Sequence, residues 1–251
     1  MRSPAVIAFA CAGALGIAGS LAFVHHPKSS ARVATPRPAQ PLSALTPESR
    51  MDASAPSAAL ASFPVLPALR FSNQNTGESA SVRLYDDAGR VDQHEAERLD
   101  ALLCDSRDPK NRATATLDRR TLQLAVRAAL HFHVADVIVV SAYRKPGRRA
   151  EGPHASGRAL DFKLPAVPPR ILAAYLRTMP RVGVGIYTHP RTAFVHLDDR
   201  EHSFHWLDAS PPGRHWREMS IGGTGLAKRD ASYARADDWP EGTTPPADAT
   251  L

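Results

Sequence analysis

Two histidines and an aspartate could do chemistry together, because their settings restrict where they point. His154 and Asp161 bracket the stretch His-Ala-Ser-Gly-Arg-Ala-Leu-Asp, and His196 lies in Phe-Val-His-Leu-Asp. Side chains alternate faces along a strand, so Leu160, Phe162 and Leu164 share one face and Ala159, Asp161 and Lys163 the other. A carboxylate inside such an apolar segment needs a partner, since an unpaired buried charge is costly. A metal cation is one such partner, and Gly157 lets the chain fold back so that His154 reaches it. In Ala-Phe-Val-His-Leu-Asp-Asp, Val195 and Leu197 share the core face, while Phe194, His196 and Asp198 share the other. If the two strands are neighbours, His154, Asp161 and His196 meet. Two imidazoles and one carboxylate, with a fourth position open to water, are the donor set of a catalytic zinc site rather than a closed structural one. Each of these residues taken singly is more often a surface or hydrogen-bonded group.

The elements that must position them follow from local patterns. Residues 69–84 read as two strands around a turn at Asn75-Thr76-Gly77, with a second turn at Asp87-Ala88-Gly89. Asp92 with Glu95 three residues on forms a capping box, and Ala96, Leu99, Leu102 and Leu103 give the helix one apolar face. Leu122, Ala125, Val126 and Ala129 mark a second helix from about Leu117. Asp136 to Tyr143 reads as a central strand, and Arg158 to Leu164 as the next. Pro168-Pro169 opens a helix with Ile171, Leu172, Tyr175, Leu176 and Met179 on its apolar face, ended by Pro180. Two strands follow around a turn at His189-Pro190. Helices, then antiparallel-type strands, predict an α+β fold rather than a doubly wound sheet.

Ser-Ala-Tyr-Arg (141–144), Gly-Pro-His-Ala-Ser-Gly-Arg-Ala-Leu-Asp-Phe-Lys-Leu (152–164) and Gly-Val-Gly-Ile-Tyr-Thr-His-Pro-Arg-Thr-Ala-Phe-Val-His-Leu-Asp-Asp (183–199) together resemble the murein endopeptidase K-like family of zinc peptidases. The resemblance covers roughly residues 69–206. It implies the D-Ala-D-Ala peptidase and hedgehog fold, a small antiparallel sheet flanked by helices, and action on the peptide cross-links of bacterial peptidoglycan. It implies His154, Asp161 and His196 as zinc ligands, and Arg144 as the cation that steadies the substrate carbonyl as it becomes an oxyanion. The alternative for Arg144 is a structural ion pair. Related enzymes often carry a Glu or His two or three residues before the last ligand. Here those positions are Ala193 and Phe194, which cannot take a proton. Asp198, about 7 Å along the strand from His196, is the best remaining carboxylate. It could serve as general base or hold a ligand imidazole in the right tautomer. Glu151 and His205 are outside candidates for the base. The segment Lys145 to Pro153 is shorter than usual in the family, and Arg148 and Arg149 put basic charge beside the cleft. Trp206 and Trp216 are candidates to line it. The resemblance leaves room for a D,D- or L,D-carboxypeptidase of the same fold, or for a non-catalytic zinc-containing wall-binding module.

The 251 residues, 43 % hydrophobic and with a formal net charge of +6, suffice for one core plus extensions. The basic balance suits an anionic partner, but there is no dense Lys/Arg run or nucleic-acid motif, so nucleic acid is not expected. Cys11 and Cys104 are the only cysteines, too few for a disulfide framework or a thiolate zinc site. Arg2 followed by the uncharged stretch Ala5 to Val24 makes residues 1–24 an export signal or a membrane anchor. Residues 25–62, rich in Pro, Ala and Ser, read as a disordered linker. Residues 63–217 are the expected zinc peptidase-like domain, and 218–251, rich in Gly, Asp and Pro, a disordered tail. The bulk of the chain is expected in the periplasm or at the outer face of the inner membrane.

Overall fold

The computed structural model describes residues 63–105, 113–146, 152–214, 216 and 218–249. The apolar segment 1–24, the linker 25–62 and the loop residues Arg148, Arg149 and Glu151 lie outside them. Among the described residues no helix is long and apolar enough to cross a membrane.

The chain begins with the hairpin β1 (Leu69–Asn73) and β2 (Ser79–Val82), turning at Gly77, whose φ of +75° a side chain would oppose. Helix α1 (Gln93–Leu102) starts at Asp92, whose side chain accepts from the Glu95 N–H at 3.1 Å. Helix α2 (Arg119–His131) starts at Asp118, which accepts from the Thr121 N–H at 2.8 Å and the Thr121 hydroxyl at 2.9 Å. Strands β3 (Asp136–Ser141) and β4 (Ala159–Lys163), helix α3 (Pro169–Leu176), and strands β5 (Val182–Tyr187) and β6 (Phe194–Asp199) follow. Leu122, Ala125, Val126 and Ala129 of α2 are buried, as their spacing predicts. Ile171, in the first turn of the two-turn α3, is exposed at 52 %, because only the far side of so short a helix meets the sheet.

The fold is α+β, but the sheet is neither small nor wholly antiparallel. It has eight strands in the order β2-β1-β3-β4-β6-β5-β7-β8, where β7 is Phe204–Asp208 and β8 Met219–Ser220. The pairs β1–β3 and β5–β7 are parallel and the rest antiparallel. Two helices lie between β2 and β3, which gives the length a parallel return needs. Residues 200–203 carry the chain from β6 past the start of β5 into β7, and this crossing makes the second parallel pair.

The segment expected to be a disordered tail is folded. After β8 come α4 (Leu226–Ala231) and a 3-10 turn (Arg235–Asp238). Asp230 accepts from the Arg181 N–H at 2.7 Å and from the Ser203 N–H at 2.7 Å and hydroxyl at 2.6 Å. Asp238 receives Arg120 at 2.9 Å and the Tyr233 hydroxyl at 2.6 Å. Trp239 is buried, its indole N–H donating to Gly89 O at 2.8 Å. Two of these anchors, Arg120 to Asp238 and Gly89 to Trp239, join residues more than a hundred positions apart, so a local reading of Gly and Pro content could not register them.

The core fills one face of the sheet, where Leu160, Phe162, Val184, Val195 and Leu197 lie under α2 and α3. The opposite face carries the polar groups.

Candidate metal centre and its cleft

The register lays one row of residues across six strands of the polar face. Ser141 pairs with Asp161, Asp161 with His196, His196 with Gly185, Gly185 with Trp206, and Trp206 with Ser220. Asp161 and His196 are thus cross-strand partners, as the alternation of both segments requires. His154 reaches them from the turn before β4. Gly157, at φ +72°, makes that turn, and a Cβ there would lie 2.6 Å from the Thr116 carbonyl oxygen.

Each histidine has one ring nitrogen committed. His154 Nδ1 lies 2.6 Å from the Ala142 carbonyl oxygen, which can only accept, so Nδ1 carries the proton. His196 Nε2 lies 2.8 Å from Asp198 Oδ2. The remaining nitrogens, His154 Nε2 and His196 Nδ1, stand 3.2 Å apart and face Asp161 Oδ1 at 3.3 and 2.8 Å. Three lone-pair atoms converging this closely repel one another unless a cation sits among them. Two of the three separations, 3.2 and 3.3 Å, are close to those of a tetrahedral metal, whose ligand atoms at 2.0–2.2 Å are themselves about 3.3–3.6 Å apart. The donor set therefore fits a metal ion of the zinc type.

The protonation energetics agree. Burial alone would push the Asp161 carboxyl up, but the His154 and His196 imidazoles outweigh it and hold it well below the usual range. Burial would push His196 down, yet Asp161 and Asp198 together raise it to about 9. Without a metal, a proton on His196 is the cation that the cluster demands.

Asp198 is completely buried. Burial opposes its charge, and His196 and Arg200 more than compensate, keeping it ionised. The Arg200 Nε donates to Asp198 Oδ1 at 2.6 Å, and a second Arg200 nitrogen reaches Oδ2. Both carboxylate oxygens are engaged and neither meets the cleft. Of the two roles open to Asp198 in the sequence, this geometry suits only the holding of His196. Arg144 donates from Nε to Ser141 Oγ at 2.8 Å and from Nη2 to Asp161 Oδ2 at 2.5 Å, and it also lines the cleft. It is ion pair and cleft cation at once. His205, paired with Val184, sits on the helix face of the sheet beside Arg177, away from the cluster. Burial and Arg177 push it down to about 4.

The cluster forms part of the floor of a cleft of about 340 Å³. Tyr187, Phe194 and Trp206 give it aromatic walls, and Asp208, Arg214 and Glu218 close its far side. Trp216 is exposed and is not part of the lining. Two glycines of β5 make room on this face, Gly185 for the cleft wall at Trp206 and Gly183 for the Arg200–Asp198 pair. A Cβ at Gly185 would lie 2.5 Å from the Trp206 ring, and one at Gly183 2.3 Å from Arg200 and Asp198 side-chain atoms. The Val-Gly-Val-Gly alternation, visible in the sequence, is the signal that could have located them, since both glycines fall on the site face. Nothing in the sequence motifs singled out Tyr187, Asp208 or Glu218.

Fold and site together define an α+β protein with a two-histidine, one-carboxylate centre on the open face of its sheet. Residues 65–202 match the model of the Peptidase_M15_2 family, described as peptidoglycan L,D-endopeptidase MepK, and the chain belongs to this family. No curated protein and no solved structure matches it. The matched stretch holds Arg144, His154, Asp161, Tyr187, His196 and Asp198. The cleft wall from Trp206 onward lies beyond it.

Proposed function

We propose that the protein is a zinc peptidase that hydrolyses peptide cross-links of bacterial peptidoglycan, and that the bond is the L,D linkage for which its family is described. The observation that carries this reading is the convergence of His154 Nε2, His196 Nδ1 and Asp161 Oδ1, with both outer imidazole nitrogens already bonded. These three residues would hold the zinc, which when bound supplies Lewis acidity and brings the pKa of a water to about 7. Asp198, held by Arg200, fixes the His196 tautomer. Arg144 stands at the edge of the cluster, where a cation stabilises negative charge growing on a carbonyl oxygen. Residues 1–24 we assign to export, as signal or anchor, which puts the domain in the periplasm with the substrate.

The test is incubation of purified protein with L,D- and D,D-cross-linked muropeptide dimers and with monomers. Zinc, a chelator, and chelator followed by added zinc form the arms. Loss of the L,D dimer that the chelator abolishes and zinc restores supports the reading. Shortening of monomers alone makes the protein a carboxypeptidase. Zinc binding with no cleavage of any substrate makes it a wall-binding module, a reading favoured by the absence of a proton acceptor at Ala193 and Phe194 and by the burial of Asp198.

A further inference from the structure

We infer that Tyr187 is a catalytic residue of this site, its hydroxyl donating a hydrogen bond to the carbonyl oxygen of the scissile bond as that carbon becomes tetrahedral. The inference rests on the peptidase reading above and adds a second donor to Arg144.

The sheet order sets the geometry. Asp161 and His196 lie on β4 and β6. Arg144 follows β3 on one side of this pair, and Tyr187 ends β5 on the other. Both line the cleft whose floor holds the cluster. Tyr187 pairs with Phe194, two residues from His196 along β6, and the two rings stack at 4.3 Å and 17°. That stack fixes the ring direction. Between Tyr187 and the His196 row, β5 offers Gly185, so no side chain of that strand screens the phenol from the cluster.

The hydroxyl is also uncommitted in the way a donor must be. The hydroxyls of Tyr85, Tyr175 and Tyr233 bond Gln123, Glu241 and Asp238. Tyr187, among the described residues, is tied to no carboxylate or carbonyl. Burial pushes its phenol up to about 12; the Trp206 indole opposes this, and the Asp161, Glu218 and Asp208 carboxylates add to it. Burial thus favours the neutral phenol, a hydrogen-bond donor rather than a base. A neutral donor held in a partly desolvated cleft is worth most where charge develops, because it needs no reorganisation there. No proton need leave the oxygen for this role, so no co-reactant is required. Asp198 and His205 are wrongly placed for this role: Asp198 is sealed beneath His196, and His205 faces the helices.

Tyr187→Phe keeps the ring and its stack on Phe194 while deleting one oxygen. The zinc-loaded full chain is assayed on L,D-cross-linked muropeptide dimer, and its affinity for a phosphinate analogue of the scissile peptide is measured beside it. The expected result is a kcat about 100-fold lower, with KM within about threefold of wild type and zinc content and melting temperature unchanged. Phosphinate affinity falls in step with kcat/KM, as it must for a contact made in the transition state. A kcat within twofold of wild type overturns the inference. So does a change confined to KM, which makes Tyr187 a binding surface, or a loss of zinc, which makes it a structural support. If wild type leaves the dimer intact while binding zinc, the peptidase reading fails first and this inference falls with it.

Discussion

Asp161 and His196 are direct partners across the β4–β6 ladder, Oδ1 to Nδ1 at 2.8 Å, so two ligands of the candidate centre are positioned by backbone register alone. A one-residue slip of β6 would turn His196 to the helix side and bring Val195 or Leu197 to the site. The hydrophobic face that prevents the slip is therefore also what keeps the candidate ligands together.

The bond from His196 to Asp198 predicts a graded loss of metal. Asp198→Ala should weaken zinc binding about 10- to 100-fold, since the carboxylate that holds the outer nitrogen of a ligand histidine carries that much affinity. Asp198→Asn, which retains an acceptor for His196 Nε2, should lose less. Competition against a chromophoric chelator measures both. Equal affinity for wild type and Asp198→Ala would remove Asp198 from the metal's support.

Gly185 predicts a steric effect. Gly185→Ala drives a methyl group into the Trp206 ring and should cost about 1–3 kcal/mol, the usual range for overpacking. Gly222→Ala, with open space around it, is the matched control and should melt with wild type. If both variants melt alike, Trp206 moves aside freely and does not form a fixed wall.

Metal and proton compete at His196, which gives a pH signature. The folded pKa of about 9 lies above the ordinary value of 6.5, so in the zinc-free protein this group stabilises the fold fully below 6.5. That contribution fades as pH rises toward and through 9. Over the same window zinc meets a weaker proton competitor and binds better. The gap between melting temperatures with zinc and with chelator should therefore widen from pH 6.5 to 9. A gap that narrows contradicts a protonated His196 in the zinc-free state.

The C-terminal segment should matter to stability although it holds none of the candidate ligands. Asp238 and Arg120 are both largely buried, with side chains 2 % and 12 % exposed. Asp238→Ala leaves the guanidinium with Asp199 as its remaining carboxylate, and should cost about 3 kcal/mol, the low end for breaking a buried pair. Urea unfolding with an unchanged m-value is the measurement. A loss below about 0.5 kcal/mol, typical of surface pairs, would show that the segment merely rests on the domain.

The legible part of the molecule is the part governed by short-range pattern. Strict alternation around Asp161 and His196 reveals which face each occupies, and Asp92 with Glu95 announces the start of α1. Asp198 is ambiguous in sequence because base and holding residue share one strand position. The choice depends on Arg200, which crosses over Gly183, and on complete burial. β7 carries Phe, His, Trp and Asp with little apolar alternation, so it does not announce itself. The fold of residues 218–249 depends on Arg120, Tyr85 and Gly89, all distant in the chain. Gly183 and Gly185 act by what they lack, and a missing side chain gains meaning only when its neighbours are known.

The described residues of the cleft wall between Asp208 and Glu218 are tied to one another. Ser210 N–H donates to Asp208, Trp216 N–H to the Ser210 hydroxyl, and Arg214 N–H to Pro211. This wall lies past the end of the family match, whereas the ligand residues lie within it. On the peptidase reading proposed above, reactivity and selectivity would be carried by separable parts. The ladder that fixes His196 against Asp161 tolerates little change, while the loop can be exchanged for one of another length or charge without disturbing a single rung. A lineage, or a designer, can retarget such a protein by swapping one interchangeable surface piece and leaving its reactive centre intact.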